Sequence, residues 1–238
     1  MSKAILGIRS AFFYSGYVLI TIVMSTFFIL VYGLLPPRGR FNFASTWCFF
    51  VLQWLRVTCG VNYEVKGLEN IPDGPAVYLS NHQSSWETLL FYRLIFPMSP
   101  ILKKELLKIP FWGWALWLTR PIAIDRSKPR EAGKSLLLQG VKRLQEGNSI
   151  VIFPEGTRSK PGEIRKFSRG GATLAEAAGV PVVPIAHNAG YAWPPRTFLK
   201  FPHKVTVEIG KPIAINDQSV NQITEQVEAW IRSAVVLR

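Results

Sequence analysis

The 238-residue sequence predicts an α/β fold with a mostly parallel central sheet flanked by helices, behind a long apolar N-terminal segment. Three observations carry this reading. From about residue 61, short apolar runs alternate with amphipathic segments, the pattern of strands covered by helices on both faces. Polar clusters follow directly after several of these runs, where such sheets present their functional groups. Residues 11–37 contain no charged side chain at all.

Taken in order, the N-terminal segment comes first. Lys3 and Arg9 precede it, and Arg38 and Arg40 follow. As one helix it would span about 40 Å, more than the roughly 30 Å hydrocarbon core of a bilayer. It is too long for a secretory signal and reads as a retained transmembrane helix. A second apolar stretch, 43–55, closed by Arg56, is short for a span. It predicts the partner of the first in an apolar helical hairpin for membrane attachment. Residues 1–60 are thus expected to form a membrane-associated helical segment and 61–238 one globular domain.

Within that domain, 76–79 reads as a buried strand and 84–96 as a helix. Residues 121–124 read as a strand, 129–146 as an amphipathic helix stopped by Gly147, and 149–153 as a strand apolar on both faces. A helix at 170–178, strands at 182–186 and 205–209, and a helix at 217–236 complete the pattern.

Composition narrows the partners. The chain is 48% hydrophobic, carries eight tryptophans and has a formal charge of +13. An apolar and basic chain suits an anionic membrane surface. Between residues 100 and 170 there are 15 Lys and Arg against six acids, including the pairs Lys103-Lys104 and Arg165-Lys166. Nucleic acid is the rival explanation of such a patch, and the apolar N-terminus argues against it. Cys48 and Cys59 have no histidine at ligand spacing, so neither a metal site nor a disulfide framework is expected.

Four blocks carry the chemistry. Asn81-His82-Gln83-Ser84-Ser85-Trp86-Glu87-Thr88 follows the strand at 76–79. A histidine at a helix entrance and a carboxylate one turn in can face each other. The carboxylate then fixes the tautomer and frees the other ring nitrogen to take a proton. Ser84-x-x-Glu87 is also a capping-box pattern, which explains Glu87 without catalysis. Pro121-Ile122-Ala123-Ile124-Asp125-Arg126 ends a strand in an acid–base pair. Phe153-Pro154-Glu155-Gly156-Thr157-Arg158-Ser159 offers a close backbone approach at Gly156 and a planar fork for phosphate at Arg158. Val180-Pro181-Val182-Val183-Pro184-Ile185-Ala186 is a strand whose prolines limit its pairing. Ser84 and Ser85 beside His82 leave an acyl-enzyme route open, but there is no Gly-x-Ser-x-Gly elbow.

In this order and spacing the blocks resemble the four motifs of the glycerolipid acyltransferases, in particular bacterial 1-acylglycerol-3-phosphate acyltransferases. The resemblance covers about residues 60–215. The third motif matches in full. The first departs in carrying Glu87 where aspartate is commoner. The resemblance implies a membrane enzyme, at the cytoplasmic face of a bacterial inner membrane. It would move an acyl group from acyl-CoA or acyl carrier protein to lysophosphatidic acid, giving phosphatidic acid, with no bound cofactor or metal. It also implies His82 and Glu87 as catalytic residues, and Arg126, Glu155, Gly156, Thr157 and Arg158 at the substrate. Other acceptors remain as alternatives: a lyso-ornithine lipid, another lysophospholipid or glycerol-3-phosphate. So does a non-catalytic membrane-surface binding protein.

Overall fold

The computed structural model describes residues 2–125, 127–216 and 218–234. Helix α1, Lys3–Val31, starts at Ser2, whose Oγ accepts the Ile5 N–H at 3.4 Å. A short 3-10 turn at Tyr32–Leu34 leads to α2, Pro37–Cys59. Pro37 stands in the first turn, where its missing N–H costs nothing. For this reason α2 begins before the apolar stretch 43–55 that announced it. It ends at Gly60, whose φ of 73° lets its N–H close on Arg56 O at 2.9 Å.

The two helices form the expected hairpin. Trp47 Nε1 donates to Thr21 Oγ1 at 3.1 Å, and Trp54 Nε1 to Phe13 O at 3.1 Å. Trp54 reaches that carbonyl by lying over Gly16, where a side chain would collide with its indole. Of the described helices, one is long and apolar enough to cross a membrane, Lys3–Leu34. Its outward side stays apolar, with Ile8, Leu19, Val23 and Leu30 exposed.

The domain adds β1 (Val61–Lys66), β2 (Val77–Ser80), α3 (Trp86–Leu94), β3 (Ile101–Lys103), α4 (Trp112–Leu118), β4 (Ile122–Ile124) and α5 (Pro129–Gln145). Then follow β5 (Ile150–Ile152), α6 (Gly170–Ala178), β6 (Val182–His187), β7 (His203–Ile209) and α7 (Val220–Ala234). The main sheet has the order β1-β7-β6-β2-β5. β2 is parallel to both β5 and β6, β7 turns back antiparallel to β6, and β1 runs parallel to β7. The sheet is therefore mostly parallel, as predicted, with its direction reversed at one edge. β3 and β4 form a parallel pair beside β5, joined to it by a bridge from Met98 to Ser149.

Alternating residues divide the core between the two faces. Tyr78, Val183 and Ile185 face one cluster; Val77, Leu79 and Val182 face the other. α6 and α7 cover the second face through Leu174, Ile223 and Val227. The first is covered by α3 and by the hairpin, through Phe13, Cys48, Val51 and Leu55. Apolar packing thus runs unbroken across residue 60, and the hairpin is one layer of the fold. The Schellman pattern at the end of α5 is complete: Gly147 (φ 84°) donates to Leu144 O and Asn148 to Arg143 O, both at 2.9 Å.

Candidate active site

β2, β5 and β6 bring their carboxyl ends side by side, and the loops beyond them meet there. Asn81 leaves β2 and locks it to β6. Its Nδ2 donates to His187 O at 2.8 Å, and its Oδ1 accepts from His187 N at 3.1 Å. With the loop anchored, His82 lies almost flat on Phe153 at the end of β5, ring centroids 4.0 Å apart and planes 16° apart.

His82 Nδ1 meets Glu87 Oε1 at 2.8 Å. The same oxygen accepts Ser84 N at 2.8 Å and Gln83 N at 3.1 Å. Glu87 is fully buried. Burial alone pushes its carboxyl up, but the His187 ring, the His82 ring and the Ser84 N–H outweigh that and hold it at about 2. An ionised Glu87 accepts only, so His82 Nδ1 carries the proton and Nε2 presents its lone pair.

His187 Nε2 lies 3.9 Å from Glu87 Oε1. Its Nε2–H donates to Asn81 O at 2.8 Å, and its Nδ1 accepts the Ala189 N–H at 3.2 Å. Burial depresses its pKa, against the pull of Glu87. A second proton would set Nδ1–H against the Ala189 N–H.

The capping pattern is real but displaced. Helix α3 starts at Trp86, after Ser85. Ser84 Oγ accepts the Trp86 N–H at 3.1 Å, while Glu87 takes the Ser84 N–H. One carboxylate serves both the helix start and the histidine. Ser84 is fully buried in this cap, which removes it as a nucleophile.

The loop after β5 closes the site. Gly156 N donates to Phe153 O at 3.0 Å, a turn with Pro154 second and Gly156 (φ 71°) fourth. Ser159 N donates to His82 O at 2.8 Å, which brings Arg158 to the histidine loop. Arg158 is exposed and makes no hydrogen bond or ion pair with any described residue. Glu155 is different. Its Oε1 accepts His82 N at 2.8 Å, and its Oε2 accepts Ser159 Oγ and Arg165 N. The carboxylate expected at the substrate is thus taken up by three protein donors that tie the two loops together. Thr157 is half-buried beside Arg158, and Arg126 lies outside the described residues. Asp125 accepts Ser127 N at 3.0 Å and Ser127 Oγ at 2.6 Å.

The model of the Acyltransferase family matches residues 62–188, more than half of the chain. The chain belongs to the acyltransferase family. A Pseudomonas aeruginosa protein named 1-acyl-sn-glycerol-3-phosphate acyltransferase is 44% identical over 229 residues, 94% of this chain and 89% of its own length. A Saccharomyces cerevisiae protein of the same name is 30% identical over 191 residues, 74% of this chain and 62% of its own. The crystal structure of the 1-acyl-sn-glycerophosphate (LPA) acyltransferase PlsC from Thermotoga maritima has the same fold. The two superimpose with a TM-score of 0.83 at 24% identity, covering 96% of this chain and 93% of that one. Within this acyltransferase, Asn81 stood in the first motif block without a role, and His187 lay outside the four blocks. The signal was their position at the ends of neighbouring strands.

Proposed function

We propose that this acyltransferase esterifies the 2-hydroxyl of 1-acylglycerol-3-phosphate, taking the acyl group from an acyl thioester on coenzyme A or acyl carrier protein and giving phosphatidic acid. The observation that carries the reading is the oriented His82–Glu87 pair beside the unpaired Arg158. His82 Nε2 takes the hydroxyl proton as the oxygen attacks the thioester carbon. The tetrahedral intermediate expels the thiolate, which receives that proton from the imidazolium. Glu87 stabilises the charged ring between these steps.

Arg158 binds the phosphate of the acceptor, with Thr157 beside it in sequence, Gly156 letting the backbone approach and Arg126 as a second phosphate partner. Glu155 acts through His82 and Ser159 and is a positioning residue. The step needs no bound cofactor. The exposed apolar side of α1 seats the enzyme in the membrane, and the basic charge between residues 100 and 170 suits the anionic cytoplasmic leaflet of a bacterial inner membrane.

The test is acyl transfer to 1-oleoylglycerol-3-phosphate by purified protein in detergent, with each thioester donor in turn. Wild type is expected to form phosphatidic acid, and a folded His82→Ala variant to lose about 100- to 10,000-fold in rate. No product with either donor, but product with another lysolipid, would overturn the acceptor.

A further inference from the structure

At the end of the sheet opposite His82, a cavity of about 390 Å³ opens between the hairpin tip and the far ends of α3, α4 and α5. The length of α3, about 13 Å, separates it from the catalytic loop. Four arginines line it, Arg38, Arg40, Arg120 and Arg143, with one acid, Glu146. Arg120 and Arg143 share that acid at 3.2 and 2.9 Å. Arg40 is held by Tyr32 O and Leu35 O and lies over the Tyr32 ring. The buried Nε of Arg143 has no acceptor among the described residues. Arg38 is exposed and makes no bond to any described residue. One carboxylate therefore faces four guanidinium groups, of which Arg40 and Arg143 are held by protein partners.

Apolar surface surrounds this basic cavity. Leu34 is 85% exposed, Leu30 74% and Trp117 66%. Leu30 and Leu34 flank the lining Tyr32 at the hairpin tip, and Trp117 precedes the lining Leu118 at the end of α4. A ligand that satisfies both parts carries a phosphate and hydrocarbon together. Arginine forks match phosphate oxygens in pairs, and aromatic residues favour the headgroup level of a bilayer.

We propose that this cavity binds the phosphate of an anionic glycerophospholipid from the surrounding bilayer, with its acyl chains along Leu30, Leu34 and Trp117. The site is separate from the reacting centre and fixes how the hairpin end of the enzyme sits in the membrane.

The probe is dihexanoyl phosphatidylglycerol kept below micelle formation, titrated calorimetrically into the full chain in neutral detergent. Wild type should bind saturably. R38Q/R120Q, which alters two exposed side chains, should bind at least about tenfold more weakly while keeping its acyl-transfer rate on detergent-dispersed substrate. R158Q and the charge-matched control K134Q/K211Q should bind like wild type. Four results would overturn the proposal: no binding by wild type, equal binding by R38Q/R120Q, equal weakening by the control, or displacement by inorganic phosphate at the same concentration. Loss in R158Q alone would place the lipid at the reaction site and overturn it too. None of these outcomes bears on the reaction itself, which the His82→Ala assay reads.

Discussion

The hairpin and the catalytic loops solve opposite problems. The hairpin leaves apolar side chains in the open, with Leu19, Val23 and Leu30 exposed along α1. The loops at the carboxyl ends of β2, β5 and β6 bury polar ones: Asn81, His82, Glu87, Glu155 and His187 are all inside. In the hairpin, position along a helix decides what faces outward, and substitutions should be tolerated in proportion to volume. In the loops buried donors converge on shared acceptors, so one carboxylate can carry several loops. The difference teaches where the molecule is brittle.

The largest stability effect is expected at Glu155. Glu155→Ala leaves His82 N, Ser159 Oγ and Arg165 N without their acceptor. The two buried orphans, His82 N and Ser159 Oγ, cost about 1–3 kcal/mol each, so the total should be about 2–6 kcal/mol, read from denaturation in detergent. Glu155→Gln should recover part of the stability and lower kcat more than it raises KM for the acceptor. A change in KM alone would return Glu155 to the substrate. Next is the hairpin. Gly16→Leu drives a side chain into the Trp54 indole and should cost about 1–3 kcal/mol by overpacking, without removing any hydrogen-bond partner from the catalytic loops.

Acid should sharpen the contrast. His187 has a depressed pKa, so its contribution is complete above the ordinary value of 6.5 and is lost as pH falls below it. The melting temperature should therefore drop as pH falls below 6.5, and less steeply in His187→Asn. Glu87, held at about 2, loses its contribution only as pH falls from the ordinary 4.5 toward that value. The smallest effect is local. Gly147→Ala meets no neighbour and strains only φ, for about 1–2 kcal/mol.

The same contrast explains what could be read from the sequence. Hairpin, strands and helices follow from runs of like character, and Gly147 stops α5 where the pattern predicts. The contact between His82 and Glu87 was legible because the two are five residues apart on one loop and helix start. β1 was not read, although Val61–Lys66 alternates apolar and polar residues as a half-buried strand does; its partner β7 lies far along the chain. β3 and α4 are short, three and seven residues, too short for a periodic pattern to stand out. The bonding of Glu155 was not legible because one of its partners, His82 N, arrives from a loop 73 residues away. A phosphate-site motif and a scaffold motif look alike until that distance closes. His187 stayed silent for the same reason, since its link to Asn81 crosses 106 residues.

The central claim is that Glu87 works through His82. A double-mutant cycle on the acyl-transfer rate tests it most directly, comparing wild type, Glu87→Gln, His82→Ala and both together in one detergent. The account predicts that His82→Ala lowers kcat about 100- to 10,000-fold and that adding Glu87→Gln then costs nothing further. Losses that multiply would contradict it, and would give Glu87 a task of its own at the substrate.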